Sequence, residues 1–228
     1  MSVSLIQKTS GAAASSTSVT ATLTGVTAGN TLIAGLVSNS GALIPTSVTD
    51  GSGDTVSAAV AFATQVAHAG IGIYYVQNTS AGTHLITVNW GSSNASLLFL
   101  AEYSGLLTSG VFDLGSPVSF AASATITTGS ITPSVNGELL IFLAGQQNAG
   151  ETYSAFINGF TQEGSLNSGP SGTWGDLIQT TASAVSGGAT SSASNGFGAG
   201  VAAFKPAAIP FLPFTRLQWF GEDVVTSF

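Results

Sequence analysis

Short runs of aliphatic, β-branched and aromatic residues recur about every 10–14 positions along this chain, each bounded by Gly, Asn, Asp, Ser or Pro, and that rhythm specifies many short antiparallel strands. No helical period is sustained between the breakers. Strands are expected at Val3–Lys8, Ser18–Thr24, Thr31–Ser38, Thr46–Thr49, Thr55–Phe62, Gly72–Gln77, His84–Trp90 and Ser96–Tyr103. The second half adds Pro117–Ala121, Ala124–Thr128, Glu138–Gly145, Ala155–Gln162, Trp174–Thr181 and Gly198–Phe204. Leu97–Ala101 and Leu139–Ala144 are apolar at every position, so both are placed centrally and covered on both faces. Val19–Thr24 alternates instead and should keep one wet face. Reversals are expected at Asp50–Asp54, at Asn78–Gly82 and at the Asn-Gly pairs 136–137, 158–159 and 195–196.

Two stretches echo each other. Thr20–Gly25 followed by Thr31–Leu36 resembles Ala124–Gly129 followed by Glu138–Leu143, and Ser93-Asn94 and Ser194-Asn195 each precede a core strand. Two such sets of about 100 residues suit an all-β, two-sheet antiparallel β-sandwich of jelly-roll or Greek-key type. The sandwich is expected to occupy residues 1–205. From Pro206 the character changes: Pro206, Pro210 and Pro213 disfavour helix and central strand, so residues 206–228 read as an extended Pro/Phe-rich tail. Its large apolar groups, Ile209, Phe211, Leu212, Phe214, Trp219 and Phe220, would be adhesive in water and are the expected assembly contacts, either in cis or on another subunit.

Charge excludes several functions. Three basic residues against ten acidic ones, net −7, cannot neutralise a phosphate track or bind an anionic lipid surface. A hydrophobic fraction of 44% is the reverse of a disordered composition. No cysteine is present for a disulfide or a thiolate site. No run of apolar residues is long enough to span a bilayer, and the first residues do not read as a secretory leader. Synthesis without a Sec address is therefore expected, although the hydroxyl-rich surface chemistry suits an extracellular setting.

Chemistry-bearing residues are few and scattered. His68 and His84 are the only histidines, and neither lies in a nucleophile elbow or a paired metal motif. Glu102, at the end of an apolar strand, is the best candidate for a glycosidase acid, with strand capping or a bond to a neighbouring turn as the alternative. Asp50 and Asp54 sit in a Gly-rich loop that offers oxygen to calcium, yet turn chemistry explains both. Trp90 and Trp174, with Tyr74 and Tyr75, are the residues a sugar would stack on if this were a carbohydrate module. No cofactor is expected.

The succession Ser47–Val56, Ile73–Asn78, His84–Trp90, Leu98–Gly105 and Gly200–Pro206 resembles a jelly-roll, lectin-like β-sandwich domain of bacterial surface proteins and phage virion structural proteins. The likeness spans about residues 18–205 and consists of strand and hairpin motifs. It implies a fold and carries no catalytic residue. The expectation is a non-enzymatic phage virion component, a capsid decoration (cement) or minor structural protein. It would be made in the host cytoplasm and packed as a homo-oligomer against its own copies and a capsid protein. The alternatives are a carbohydrate-binding module of a tail fibre or surface protein, and a self-assembling surface or filament protein.

Overall fold

Leu97–Ala101 and Leu139–Ala144 lie in the middles of two antiparallel sheets, wholly buried on both faces as their unbroken apolar runs require. The computed structural model describes residues 2–208, which contain thirteen strands and no helix. They are β1 (Ser4–Val26), β2 (Thr31–Ser38), β3 (Pro45–Asp50), β4 (Ser57–Ala63), β5 (Gly70–Val76), β6 (Gly82–Ser104) and β7 (Phe112–Gly115), then β8 (Ser119–Thr127), β9 (Glu138–Gln146), β10 (Tyr153–Ser154), β11 (Thr161–Leu166), β12 (Ser171–Gln179) and β13 (Gly188–Phe204). The first sheet runs β1-β6-β2-β5-β4, with β3 also on β6. The second runs β8-β13-β9-β12-β11, with β10 and the short β7 also on β13. One strand order is thus used twice, once per half. The echo between Thr20–Leu36 and Ala124–Leu143 falls on corresponding strands, β1–β2 and β8–β9.

Each sheet also doubles back on itself. The first part of β1 pairs with the last part of β6, Ser4↔Ser104 through Ala13↔Ser96, and its last part pairs with the start of β6, Ser18↔Asn89 through Val26↔Gly82. Between them the ladder breaks at Gly91–Ser93, with the single pair Ser16↔Asn94 beyond. Beyond the break the strands fold over the outer face of the same sheet. Val19, Leu23, Ile86, Val88 and Trp90 therefore share one core with Leu32, Leu36, Leu98 and Leu100. Gly11 marks the fold: a Cβ there would lie 1.8 Å from the carbonyl oxygen of Thr20 in the same strand. The second half repeats the device. Its ladder breaks between Thr190 and Asn195, and Ile126, Phe142, Phe160, Phe197 and Val201 fill the matching outer core.

The central core lies between the two sheets and holds Ile33, Val37, Ile71, Ile73, Phe99 and Tyr103 of the first with Ile141, Leu143, Trp174 and Phe204 of the second. Full burial of each large aliphatic or aromatic group there stabilises the fold by about 1.5–3 kcal/mol. Asn94 and Asn195 each resume the ladder after the break, so they correspond. Carried through the β2–β6 and β9–β13 registers, that correspondence matches Gly35 with Leu143 and Val37 with Gly145. The matched residues meet each other across the interface. A Cβ on Gly35 would fall 2.9 Å from Leu143, and one on Gly145 would fall 2.2 Å from Val37. Large meets small twice, with the roles exchanged, and the sheets approach closely because of it.

Several expectations need correction. Val3–Lys8 and Ser18–Thr24 fall in one strand, as do His84–Trp90 and Ser96–Tyr103, because the polar Gly/Ser/Ala stretches between them bend and shift register while the strand continues. Ala155–Gln162 is mostly a turn: Ala155, Asn158 and Gly159 have φ of 46°, 56° and 84°, and strand resumes only at Thr161. Asp50–Asp54 and Asn78–Gly82 do not close hairpins, since β3 pairs with β6 and β4 with β5, while β5 and β6 flank β2. Asn195-Gly196 lies within β13.

Candidate functional site

The Asp, Glu, Lys and His side chains of the described residues are tied into the fold one by one. His84, fully buried, opens β6 beside the loop that leaves β3. Its Nδ1 lies 2.6 Å from Asp50 Oδ2 and 3.2 Å from Ser52 Oγ, and its Nε2 lies 3.0 Å from the carbonyl oxygen of Ser80. The carboxylate and the carbonyl are both acceptors, so both ring nitrogens donate and the ring is an imidazolium. Burial opposes the charged form, but the bonds to Asp50 and Ser80 and the charges of Asp50 and Asp54 outweigh it and hold the pKa above its usual value. A Ser–His–Asp relay divides the two ring nitrogens between nucleophile and carboxylate. Here Ser52 and Asp50 crowd the same nitrogen, and the ring reaches no solvent. Asp50, Asp54 and His84 bring ligand atoms within 4.8 Å of one another, the set best placed for a cation among the described residues. An imidazolium has no lone pair to give a metal, and its own charge serves the carboxylates instead. Asp54 in turn accepts from the amide and hydroxyl of Ser80, at 2.7 and 3.0 Å. The Gly-rich loop is thereby locked to the β5–β6 connection.

Glu102 is wholly buried and holds the β1–β2 turn, accepting from Thr27 N at 2.9 Å, Asn30 Nδ2 at 2.6 Å and Gln7 Nε2 at 2.6 Å. The turn-bonding reading of this residue therefore describes it, and no oxygen is left facing a crevice. Lys8 pairs with Glu163 at 2.7 Å, Tyr103 donates to Asp176 at 2.9 Å, and Glu151 accepts from Asn195 and Ser192. His68 bonds the carbonyl of Val66.

A second cluster borders an apolar concavity. Lys205 pairs with Asp113 at 2.9 Å, and Ser134 donates to the same carboxylate through its amide and its hydroxyl. Burial pushes Asp113 up, but Lys205 and Ser134 outweigh it and bring it below the usual carboxylate range. Glu138 is held above that range by burial and by the neighbouring charge of Asp113. Beside this cluster opens an apolar cleft of about 630 Å³ lined by Val3, Leu107, Val135, Ile178, Pro206 and Ala207. Val135 and Ile178 are 43% and 45% exposed, although both are large and apolar. The volume falls in the range of ligand sites, about 300–1,000 Å³. Lys205, the cation on its wall, is already neutralised by Asp113. Among the described residues the cleft therefore offers apolar contact and shape, with no unpaired charge to orient a polar substrate.

The residues singled out in the sequence lie elsewhere. Trp90 and Trp174 are 4% and 3% exposed. Trp90 packs edge-on against Phe62 and Trp174 against Phe99, so neither presents an open ring face to a sugar. Ile209, Phe211, Leu212, Phe214, Trp219 and Phe220 lie outside the described residues. The cleft itself escaped sequence reasoning because its walls come from five distant segments. The available signal was Leu177-Ile178, two adjacent apolar residues near a strand end, one of which must face outward. No family model, curated protein or solved structure matches this chain.

Proposed function

We propose that this chain is a non-enzymatic structural protein of a phage virion, a capsid decoration or minor structural component that packs against other subunits. The observation that carries this reading is the treatment of charge. The Asp, Glu, Lys and His side chains of residues 2–208 are engaged with internal partners, and the outer faces carry Ser, Thr, Gly and small apolar groups. Such faces can be packed between subunits without desolvating ions, a penalty of several kcal/mol per ion. The apolar cleft beside the root of the Pro/Phe segment supports the same reading. The virion assignment itself rests on the resemblance seen in the strand motifs.

The test is sedimentation velocity and electron microscopy of the purified full-length chain, with a capsid-binding assay on particles lacking it. Discrete oligomers and attachment to capsids are expected. Association should persist from low to molar salt, because the charges of the described residues are already paired within the chain. A monomer at every concentration that does not attach to capsids would end this reading.

A further inference from the structure

We infer that the apolar cleft is the receptor for the Ile209–Phe214 segment of a second copy of this chain, so that neighbouring subunits exchange arms. The inference rests on the structural-protein reading and specifies the contact it would use. Its first support is the path of the chain at the cleft. The amide of Leu107 donates to the carbonyl of Lys205 at 3.1 Å, and the amide of Ala207 donates to that of Gly105 at 2.8 Å. These bonds fix residues 205–207 as one wall of the cleft, running antiparallel to residues 105–107. Ala208, the last described residue, also lines the cleft, so the Pro/Phe segment begins at the cleft's edge. Ile209 and Leu212 each precede a proline, which biases both toward extended or turn geometry, and an extended arm is the form that an exchange between copies needs. Six extended residues reach about 20 Å, enough to leave this subunit and enter the next.

The second support is chemical match. Ile-Pro-Phe-Leu-Pro-Phe carries no charge, and two of its residues lack an amide donor. A cleft lined by Val3, Leu107, Val135 and Ile178, whose Lys205 is bound to Asp113, suits such a segment better than a charged one. Val135 and Ile178, left half-exposed, would be covered by it.

The absence of cysteine makes the test clean. Full-length Ile178→Cys is mixed with a tagged, full-length Phe211→Cys copy and oxidised with glutathione. Ile178 is half-exposed, so its substitution does not disturb the core. The control pairs Phe211→Cys with Val66→Cys. Val66 is 79% exposed and adjoins Ala67, which packs on Gly196 in the middle of β13, away from the Lys205 end that borders the cleft. Disulfide-linked tagged and untagged chains are expected in the first mixture, at about tenfold or more over the control, because docking raises the effective concentration. The Ile178→Cys/Phe211→Cys double variant should form linked chains of two or more copies. A monomer with an internal disulfide would overturn the exchange in favour of docking in cis. Oligomers that sediment normally but give no cross-link above control would overturn the cleft as receptor while leaving the structural role standing. A chain that sediments as a monomer throughout would remove both.

Discussion

Gly145→Ala tests the reciprocal fit that joins the two halves. The added Cβ would lie 2.2 Å from Val37 Cγ1, 3.2 Å from Cγ2 and 3.3 Å from Cβ, inside a core where both neighbours are buried strand residues. Overpacking of this kind costs about 1–3 kcal/mol, from which the lower entropy of an unfolded alanine removes about 0.4–1. A net loss near 1.5 kcal/mol is expected. Val37→Ala alone deletes two carbons worth about 0.8 kcal/mol each and leaves a small void, for a loss of about 2 kcal/mol. Independent effects would then sum to about 3.5 kcal/mol. In the double variant both offending Cγ atoms are gone and the new methyl partly refills the void, so a loss of only about 2 kcal/mol is expected, a coupling near 1.5 kcal/mol. Urea unfolding at one pH measures the cycle, and thermal melts check it, since each 1 kcal/mol moves the midpoint by about 2–4 °C for a domain of this size. Additive losses, or a neutral Gly145→Ala, would refute the claim that this glycine sets the distance between the sheets.

His84→Gln should destabilise most at low pH. The folded pKa of His84 is raised, so its contribution is complete below about pH 6.5 and fades as pH climbs through the raised value. Urea midpoints at pH 6, 7.5 and 9 should converge on those of the wild type, and a gap independent of pH would contradict the imidazolium assignment. Millimolar calcium or EDTA should move the melting temperature by less than about 1 °C, because His84 already supplies the cation beside Asp50 and Asp54. A rise of several degrees with calcium would make that loop a metal site. Glu138→Gln should raise the urea midpoint at pH 8 and leave it unchanged at pH 4. Burial and Asp113 lift the pKa of Glu138, so its ionisation costs stability as pH rises above the unfolded value. Equal midpoints for variant and wild type at pH 8 would show that its charge is not penalised.

Much of the fold was legible because periodicity and turn chemistry are local. The apolar runs at Leu97–Ala101 and Leu139–Ala144 required cover on both faces, and each lies between a central core and an outer one. The alternation in Val19–Thr24 placed Val19, Ala21 and Leu23 inward and the threonines in water. The doubling of β1 and β6 was not legible. Ser, Gly and Ala between two good strands read as a linker, and only the pairing partner shows that Ala13 and Ser18 belong to one bent ladder. The tryptophans misled for a related reason: an aromatic residue in a strand serves a core or a binding face equally well, and the side of the sheet decides.

The chain by itself determined that it would be pleated, nearly uncharged and built from two similar halves, since composition, a period of two and a repeated motif are written residue by residue. Tertiary structure alone decided what meets what. Gly35 faces Leu143 and Val37 faces Gly145 only once two sheets are stacked in register. His84 becomes a cation only when Asp50 and Ser80 arrive from separate turns. The cleft exists only where residues 3, 107, 135, 178 and 206 converge. Contacts of this kind depend on distances between segments far apart in sequence, and no local pattern encodes such a distance.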